Sequence, residues 1–338
     1  MKTTQGFVLK SIVLAALVAV SGTTYADDHA AANNKPVTEQ LVDTMTKLSG
    51  GPHAGQRSNH AKGIVAKGEF TPAKTAASLT KAIHLQSTSS PVIVRFSNAT
   101  GVPTIPDADG HAFPKGIAIR FMLPNDGFTD IVSISTNGFP TATPEDFLSF
   151  LNAIADSGPD AAKPTPVEQF ISAHPETERF VKMPKPAPVS FATQSFFGVN
   201  AFKFTNAKGE EQYARYRITP VKGTQFLTSA QSANATPNYL MDELPARLAE
   251  EPAQFEIAAQ LAEKSDNIND PTAVWPESRK QVVLGTLTLT SIDPEGASYA
   301  KTTMFNPLTL VDGIAPSDDP ILLARPGAYA VSFGRRLK

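Results

Sequence analysis

Pro91-Val-Ile-Val-Arg-Phe-Ser97 reads as a β-strand, rich in β-branched and aromatic residues, with polar and apolar positions alternating toward its end. Further stretches of the same character are Lys115-Gly-Ile-Ala-Ile-Arg-Phe121, Ile131-Val-Ser-Ile-Ser135, Ala201-Phe-Lys-Phe204, Tyr213-Ala-Arg-Tyr-Arg-Ile218 and Val282-Val-Leu-Gly-Thr-Leu-Thr-Leu-Thr-Ser-Ile292. Helical patterns lie around them. Residues 38–48 place Leu41, Met45 and Leu48 at the spacing of a short amphipathic helix. Thr143-Pro144-Glu145-Asp146 has the cap and first-turn proline of a helix start and leads into Phe147 to Ile154. Residues 238–262, with Leu240, Leu244, Leu248, Phe255, Ile257 and Leu261, are predicted helical, broken into pieces by Pro245 and Pro252. Strands joined by long crossovers, with helices late in the chain, predict an α+β fold. Its architecture is an antiparallel β-barrel with surrounding helices, in one domain over residues 37–338.

Composition removes several function classes. The 338 residues contain no cysteine, which excludes disulfides, thiolate nucleophiles, iron–sulfur clusters and a thiolate-ligated haem. The formal net charge is only −2, with no basic patch, so neither nucleic acid nor an anionic membrane is an expected partner.

The N-terminus reads as an export signal over residues 1–26. Lys2 and Lys10 precede an apolar run from Ile12 to Val20, and Thr24-Tyr25-Ala26 supplies small residues before Asp27-Asp28. The alternative, a transmembrane anchor, needs roughly 20 apolar residues, about twice this run. Residues 27–36 are polar and alanine-rich, a mobile arm left after processing. The mature chain is expected to be soluble and, in a Gram-negative cell, periplasmic.

The chemistry-bearing residues fall in two distant groups. Near the start, Arg57-Ser-Asn-His60-Ala-Lys-Gly63 sets Arg57 three residues before His60, a side chain able to take and return a proton near neutral pH. A histidine satisfied by local hydrogen bonds is the plain alternative. Near the end, Arg325 and Tyr329 are four apart, the spacing of one helix face, although Pro326-Gly327 between them is expected to kink it. A core tyrosine beside a surface arginine is the alternative here. If an iron is held opposite His60, the lack of cysteine leaves another histidine, all of which lie at or before His174, or a tyrosine.

In this order the segments resemble the haem catalase family, whose distal histidine sits in an Arg-x-x-His-Ala-x-Gly segment followed by Arg-Phe-Ser. The resemblance spans nearly all of the mature chain. It implies that His60 is the acid–base group above a haem, that Ser97 orients its ring, and that Arg95 faces a haem propionate, a planar pairing suited to guanidinium and carboxylate. It also implies that Tyr329 ligates the iron as phenolate, held by Arg325. A free phenol has a pKa of about 10, so iron and a nearby cation are both needed to ionise it. Arg336 and Arg57 complete the cationic set, and Phe139 and Phe147 are haem contacts. Lys115-Gly116 and the strand after it are expected to be barrel wall only.

One departure concerns mechanism. Catalases carry a distal asparagine that positions hydrogen peroxide, and here Ile134 and Ser135 stand in its place. Asn137, two or three residues late, is the candidate substitute. The chain stops soon after Arg336, which resembles the small catalase-related peroxidases. The cofactor implied is haem b, with NADPH not expected. The activity implied is reduction of organic hydroperoxides or hydrogen peroxide by a small organic electron donor, with weak dismutation. A hydroperoxide isomerase of the allene oxide synthase type and a non-enzymatic haem carrier or sensor are the alternatives, and homo-oligomer formation is left open.

Overall fold

The computed structural model describes residues 35–338, so the export signal and most of the arm expected at 27–36 lie outside the described residues. The strands in chain order are β1 (Gly63–Pro72), β2 (Ser90–Ser97), β3 (Gly116–Met122), β4 (Phe128–Ile134), β5 (Phe196–Phe197), β6 (Phe202–Thr205), β7 (Glu211–Pro220), β8 (Ala253–Leu261), β9 (Gln281–Ile292) and β10 (Ile314–Pro316). The helices are α1 (Val37–Leu48), α2 (Ala76–Leu79), α3 (Pro144–Ala155), α4 (Pro166–Ala173), α5 (Pro175–Lys182), α6 (Ser229–Ala233), α7 (Tyr239–Glu250), α8 (Gly296–Thr302) and α9 (Pro320–Arg336).

Antiparallel pairing runs β7-β5-β4-β3-β2-β1-β9-β8, and β8 returns to β7, closing a barrel. β6 and β10 extend outward from β7. Closure leaves those barrel strands without a free edge, the arrangement that satisfies most backbone groups.

The interior is aromatic and aliphatic. Phe70, Phe96, Phe121, Phe196, Phe255, Leu284 and Leu287 are completely buried, each contributing about 1.5–3 kcal/mol relative to exposure. Phe70 meets Phe121 edge to face at 5.1 Å, and Phe96 stacks on Phe191 at 5.2 Å. Because strand side chains alternate, inward Val94 and Phe96 leave Arg95 and Ser97 on the outer surface of the barrel wall. That outer face is covered by helices. Leu41 and Val42 of α1 are buried, α1 packs on α3 and α9, and Arg335 of α9 pairs with Asp43 of α1 at 2.6 Å. Thr143 caps α3, its hydroxyl oxygen accepting from the Asp146 amide at 3.1 Å, with Pro144 in the first turn.

Two segments correct the sequence reading. Residues 253–261 form strand β8, not helix: Gln254 and Glu256 are exposed between buried Ala253, Phe255 and Ile257, a period of two, and strands wait on both sides. Only α7 before it is helical, and it continues through Pro245. β1 was not anticipated, because Gly68 interrupts its pattern. A Cβ there would lie 2.0 Å from the Thr288 carbonyl oxygen, at a register shift between β1 and β9. Among the described residues no helix is long and apolar enough to cross a membrane.

Candidate active site

Two rows of cross-strand partners form the floor of the site. Gly63, Ser97, Gly116, Ile134 and Phe197 pair in sequence across β1 to β5, and in the neighbouring row Arg95, Ala118 and Val132 pair across β2 to β4. Ser97, Gly116, Ile134, Phe197 and the three members of the second row line a cleft partly open to solvent. Its other walls come from α1 (Leu41, Val42, Met45), α3 (Pro144, Phe147) and α9 (Arg325, Tyr329, Arg336). The two ends of the sequence therefore meet on one cavity.

His60 lies just before β1 with φ +57°, a left-handed conformation uncommon outside glycine. Surrounding bonds hold it there: Arg95 Nη2 donates to the His60 and Ala61 carbonyls at 2.9 and 3.0 Å, and the His60 amide donates to Asn59 Oδ1 at 3.0 Å. Ser97 Oγ is 3.1 Å from His60 Nδ1. Gly116 supplies the space for the ring. A Cβ on Gly116 would sit 2.9 Å from Ser97 Oγ and 3.0 Å from both Cε1 and Nδ1 of His60. The expectation that this segment is barrel wall alone is thus corrected, since the missing side chain is what admits the imidazole. Burial, with Arg95, Arg57 and Arg325 as added positive charge, pushes the His60 pKa down to about 3, so the ring is neutral in this environment.

On the opposite side, α9 runs unbroken from Pro320 to Arg336 despite Pro326, so the spacing of Arg325 and Tyr329 puts them on one face. Arg325 donates from Nε and Nη2 to the phenol oxygen at 3.0 and 2.8 Å. Its Nη1 donates to Asn200 Oδ1 at 2.7 Å, and Asn200 Nδ2 donates to Asp319 Oδ2 at 2.7 Å. Asp319 also caps α9, accepting from the Ile321 and Leu322 amides. Sequence reasoning missed both: Asn200 carries no local pattern, and Asp319, though it precedes Pro320 as a helix cap does, gives no local sign of its bond to Asn200. They are joined to Arg325 only by the folded chain.

Arg57, Arg95 and Arg336 form a cationic side of the cleft whose bonds go to carbonyls rather than carboxylates. Arg57 Nη2 and Arg336 Nη2 both donate to the Thr303 carbonyl, and Arg336 Nε to that of Lys301. Burial, then Arg95 and Arg336, push Arg57 down to about 7, and burial, then Arg336, lower Arg95 to about 10. Arg95 Nε is buried with no partner. Three crowded guanidiniums, one with an orphaned donor, call for an anion.

This donor set is one that could hold a haem. The phenol oxygen of Tyr329 accepts two bonds from Arg325 at the cavity, one side of the cleft carries Arg57, Arg95 and Arg336, and the walls between are apolar, including Phe139 and Phe147 with ring centroids 4.9 Å apart. The site fits the cofactor. The sequence candidates His60, Ser97, Arg57, Arg95, Phe139, Phe147, Arg325, Tyr329 and Arg336 all line the cleft. Asn137 is not among the lining residues: β4 ends at Ile134, and Val132, Ser133 and Ile134 line that part of the cleft.

A sequence model of the family described as Catalase matches residues 38–337. The chain is 34% identical to a catalase-related peroxidase of Synechococcus elongatus, over 89% of each protein. It is 32% identical to a catalase-related peroxidase of Mycolicibacterium paratuberculosis, over 88% of this chain and 94% of that one. A fungal catalase crystal structure superposes with a TM-score of 0.74 at 19% identity, covering 95% of this chain and 65% of that one. Barrel, cleft and sequence agree that the chain belongs to the catalase family of haem-dependent oxidoreductases acting on peroxide, in its short, catalase-related peroxidase form.

Proposed function

We propose that this chain is an exported haem b peroxidase that reduces organic hydroperoxides faster than hydrogen peroxide, drawing electrons from an external organic donor and dismutating hydrogen peroxide weakly. The observation behind the substrate preference is Ile134. It pairs with Gly116, whose Cα lies against the His60 ring, and it lines the cleft, so a hydrocarbon faces the position beside the proton carrier. An alkyl hydroperoxide gains from that contact, while hydrogen peroxide finds no amide there to hold its second oxygen.

Haem, when bound, supplies the electrons that open the oxygen–oxygen bond. Tyr329 would hold its iron with Arg325 compensating the oxygen's charge, and Arg57, Arg95 and Arg336 would hold its propionates. With Nδ1 engaged by Ser97, Nε2 of His60 is the ring nitrogen free to act. For Nε2 to accept, the resident proton must sit on Nδ1 and be donated to Ser97 Oγ, which fixes the tautomer. His60 takes the proton from the peroxide oxygen and returns it to the departing oxygen, which leaves as alcohol. Two one-electron transfers from the donor with two protons complete the balance, giving one alcohol and one water per hydroperoxide. Export is supported by the charged, apolar and small-residue order of residues 1–26.

Steady-state turnover of an aryl-alkyl hydroperoxide and of hydrogen peroxide, with and without a phenolic reductant, tests this reading. We expect the alcohol to form only when reductant is consumed, and Ile134→Asn to shift kcat/KM toward hydrogen peroxide by about 10-fold or more. Rearranged product without reductant would replace the peroxidase by an isomerase. An N-terminus near residue 27 on protein recovered from the periplasm tests the export assignment.

A further inference from the structure

Behind the His60 ring, away from the cleft, lies a buried polar cluster that the steps above do not use. Lys115 is completely buried, as are Asn98 and Asp107, and Lys62 is 9% exposed. Lys115 Nζ donates to Asn98 Oδ1 at 2.8 Å, to the Asp107 carbonyl at 2.6 Å and to the Ala112 carbonyl at 3.2 Å, and it sits 4.1 Å from the centre of the Phe113 ring. Asn98 Nδ2 donates to Asp107 Oδ1 at 2.7 Å. Lys62 Nζ reaches the same carboxylate at 2.7 Å and the Ile105 and Pro237 carbonyls at 2.8 and 2.7 Å. The Leu240 amide donates to Asp107 Oδ2.

An ion pair and a second ammonium inside a protein are costly to bury and are kept only when every donor and acceptor is met. Burial pushes Lys115 down to about 7 against the pull of Asp107. The placement of the cluster suggests what it does. Lys115 precedes Gly116, whose Cα sets the floor under the imidazole; Asn98 follows Ser97, which bonds Nδ1; and Lys62 follows His60 by two residues, its carbonyl accepting from the Asn98 amide. All three elements that determine where the ring lies are tied to one knot.

We infer that Lys115 is a positioning residue for His60: by joining Asn98 to the 107–112 loop it fixes Gly116 and Ser97 against the ring and keeps Nε2 on the reacting oxygen. This rests on His60 being the proton carrier. It asks nothing of Lys115 in haem binding, since its Nζ is engaged by Asn98 Oδ1 and the Asp107 and Ala112 carbonyls and Lys115 does not line the cleft.

The test uses holoprotein and four variants: Lys115→Met, Lys115→Arg, Asn98→Ala and His60→Ala. Haem content, the absorption spectrum, single-turnover cleavage of a hydroperoxide and the rate of cyanide association are measured on each. Cyanide capture requires a base to take the proton of hydrogen cyanide, so it reports on His60 without turnover. In Lys115→Met we expect full haem content and an unchanged spectrum, with cleavage and cyanide association both slower by about 10²-fold, the scale of a roughly 1 Å misplacement. Lys115→Arg, which keeps the cation and its donors, should recover most of the loss. If Lys115→Met does not fold, Asn98→Ala cuts the same link while leaving the Lys62–Asp107 pair, and the same two rates should fall. Both rates within twofold of wild type in the folded variant, or a loss that tracks haem content, would overturn the inference. Fast rates in His60→Ala would instead overturn the proton-carrier assignment.

Discussion

Arg325 holds the phenol oxygen of Tyr329 with two N–H groups, Nε at 3.0 Å and Nη2 at 2.8 Å, one helical turn away on α9. An oxygen that accepts twice from a guanidinium is aimed in a fixed direction, the support that a ligand to a haem iron would need. We expect Tyr329→Phe to lose tyrosinate absorption and most of its haem. Arg325→Gln should keep the tyrosine in place and lower haem affinity about 10–100-fold, as loss of a group supporting a ligand does. Haem titration of both variants checks this, and an unaltered spectrum in Tyr329→Phe would remove the ligand assignment.

His60 is neutral because burial and three arginines bring its pKa to about 3. Peroxide cleavage should therefore show no acid limb near pH 6.5, where an unperturbed histidine would switch off; any limb from His60 belongs near the lowered value. His60→Gln should slow cleavage by about 10²–10⁴-fold across the neutral range with haem retained. Gly116→Ala tests the same ring sterically, since its Cβ would lie within 3.0 Å of Nδ1 and Cε1. Stopped-flow rates between pH 4 and 8 decide both.

The legible parts of the sequence were those whose information is local. Val92 to Ser97 shows its strand in six residues, and Thr143-Pro144 shows a cap and a first turn. The Arg325–Tyr329 spacing held despite Pro326, because a helix interrupted at one amide retains its rotation per residue. Residues 253–261 were misread because apolar residues after a leucine-rich helix suit either period, and only β7 and β9 on both sides decide it. Gly116, Asn200 and Asp319 act on residues about 56, 125 and 119 positions away, through contacts no local pattern encodes. Asn137 is suggested only by nearness in sequence to the end of β4, and it is not among the residues that line the cleft.

His84 gives the fold a separate sensitivity to acid. It is 2% exposed, packed 4.8 Å from the Phe121 ring, and its Nδ1 has no partner, so burial pushes its pKa down to about 4. The unfolded chain, with an ordinary value near 6.5, binds the proton more readily throughout that window. The contribution to stability is complete above pH 6.5 and is lost as pH falls toward 4, on the order of 3 kcal/mol in all. His84→Leu should narrow the gap in Tm between pH 7 and pH 4.5 by several degrees, at roughly 2–4 °C per kcal/mol. Calorimetry at the two pH values checks it, and an equal gap in both proteins would assign the acid sensitivity elsewhere.

The crowded arginines make a further demand on the cofactor. Arg57 is driven down to about 7 by burial and by Arg95 and Arg336, the guanidiniums bond only neutral carbonyls, and Arg95 Nε is without an acceptor, so the group favours an anion. Carboxylates on a porphyrin would supply that anion, whereas their methyl esters would match the same apolar walls and leave the cations without a counter-charge. Truncating one partner of a buried, hydrogen-bonded charge pair costs about 2–5 kcal/mol, so haem dimethyl ester should bind at least about 10-fold more weakly than haem to the apoprotein. Arg57→Gln should reduce that ratio, because part of the charge the propionates neutralise is gone. Equal affinity for acid and ester in the wild-type chain would move the propionates away from Arg57, Arg95 and Arg336, and with them the orientation of the cofactor in the cleft.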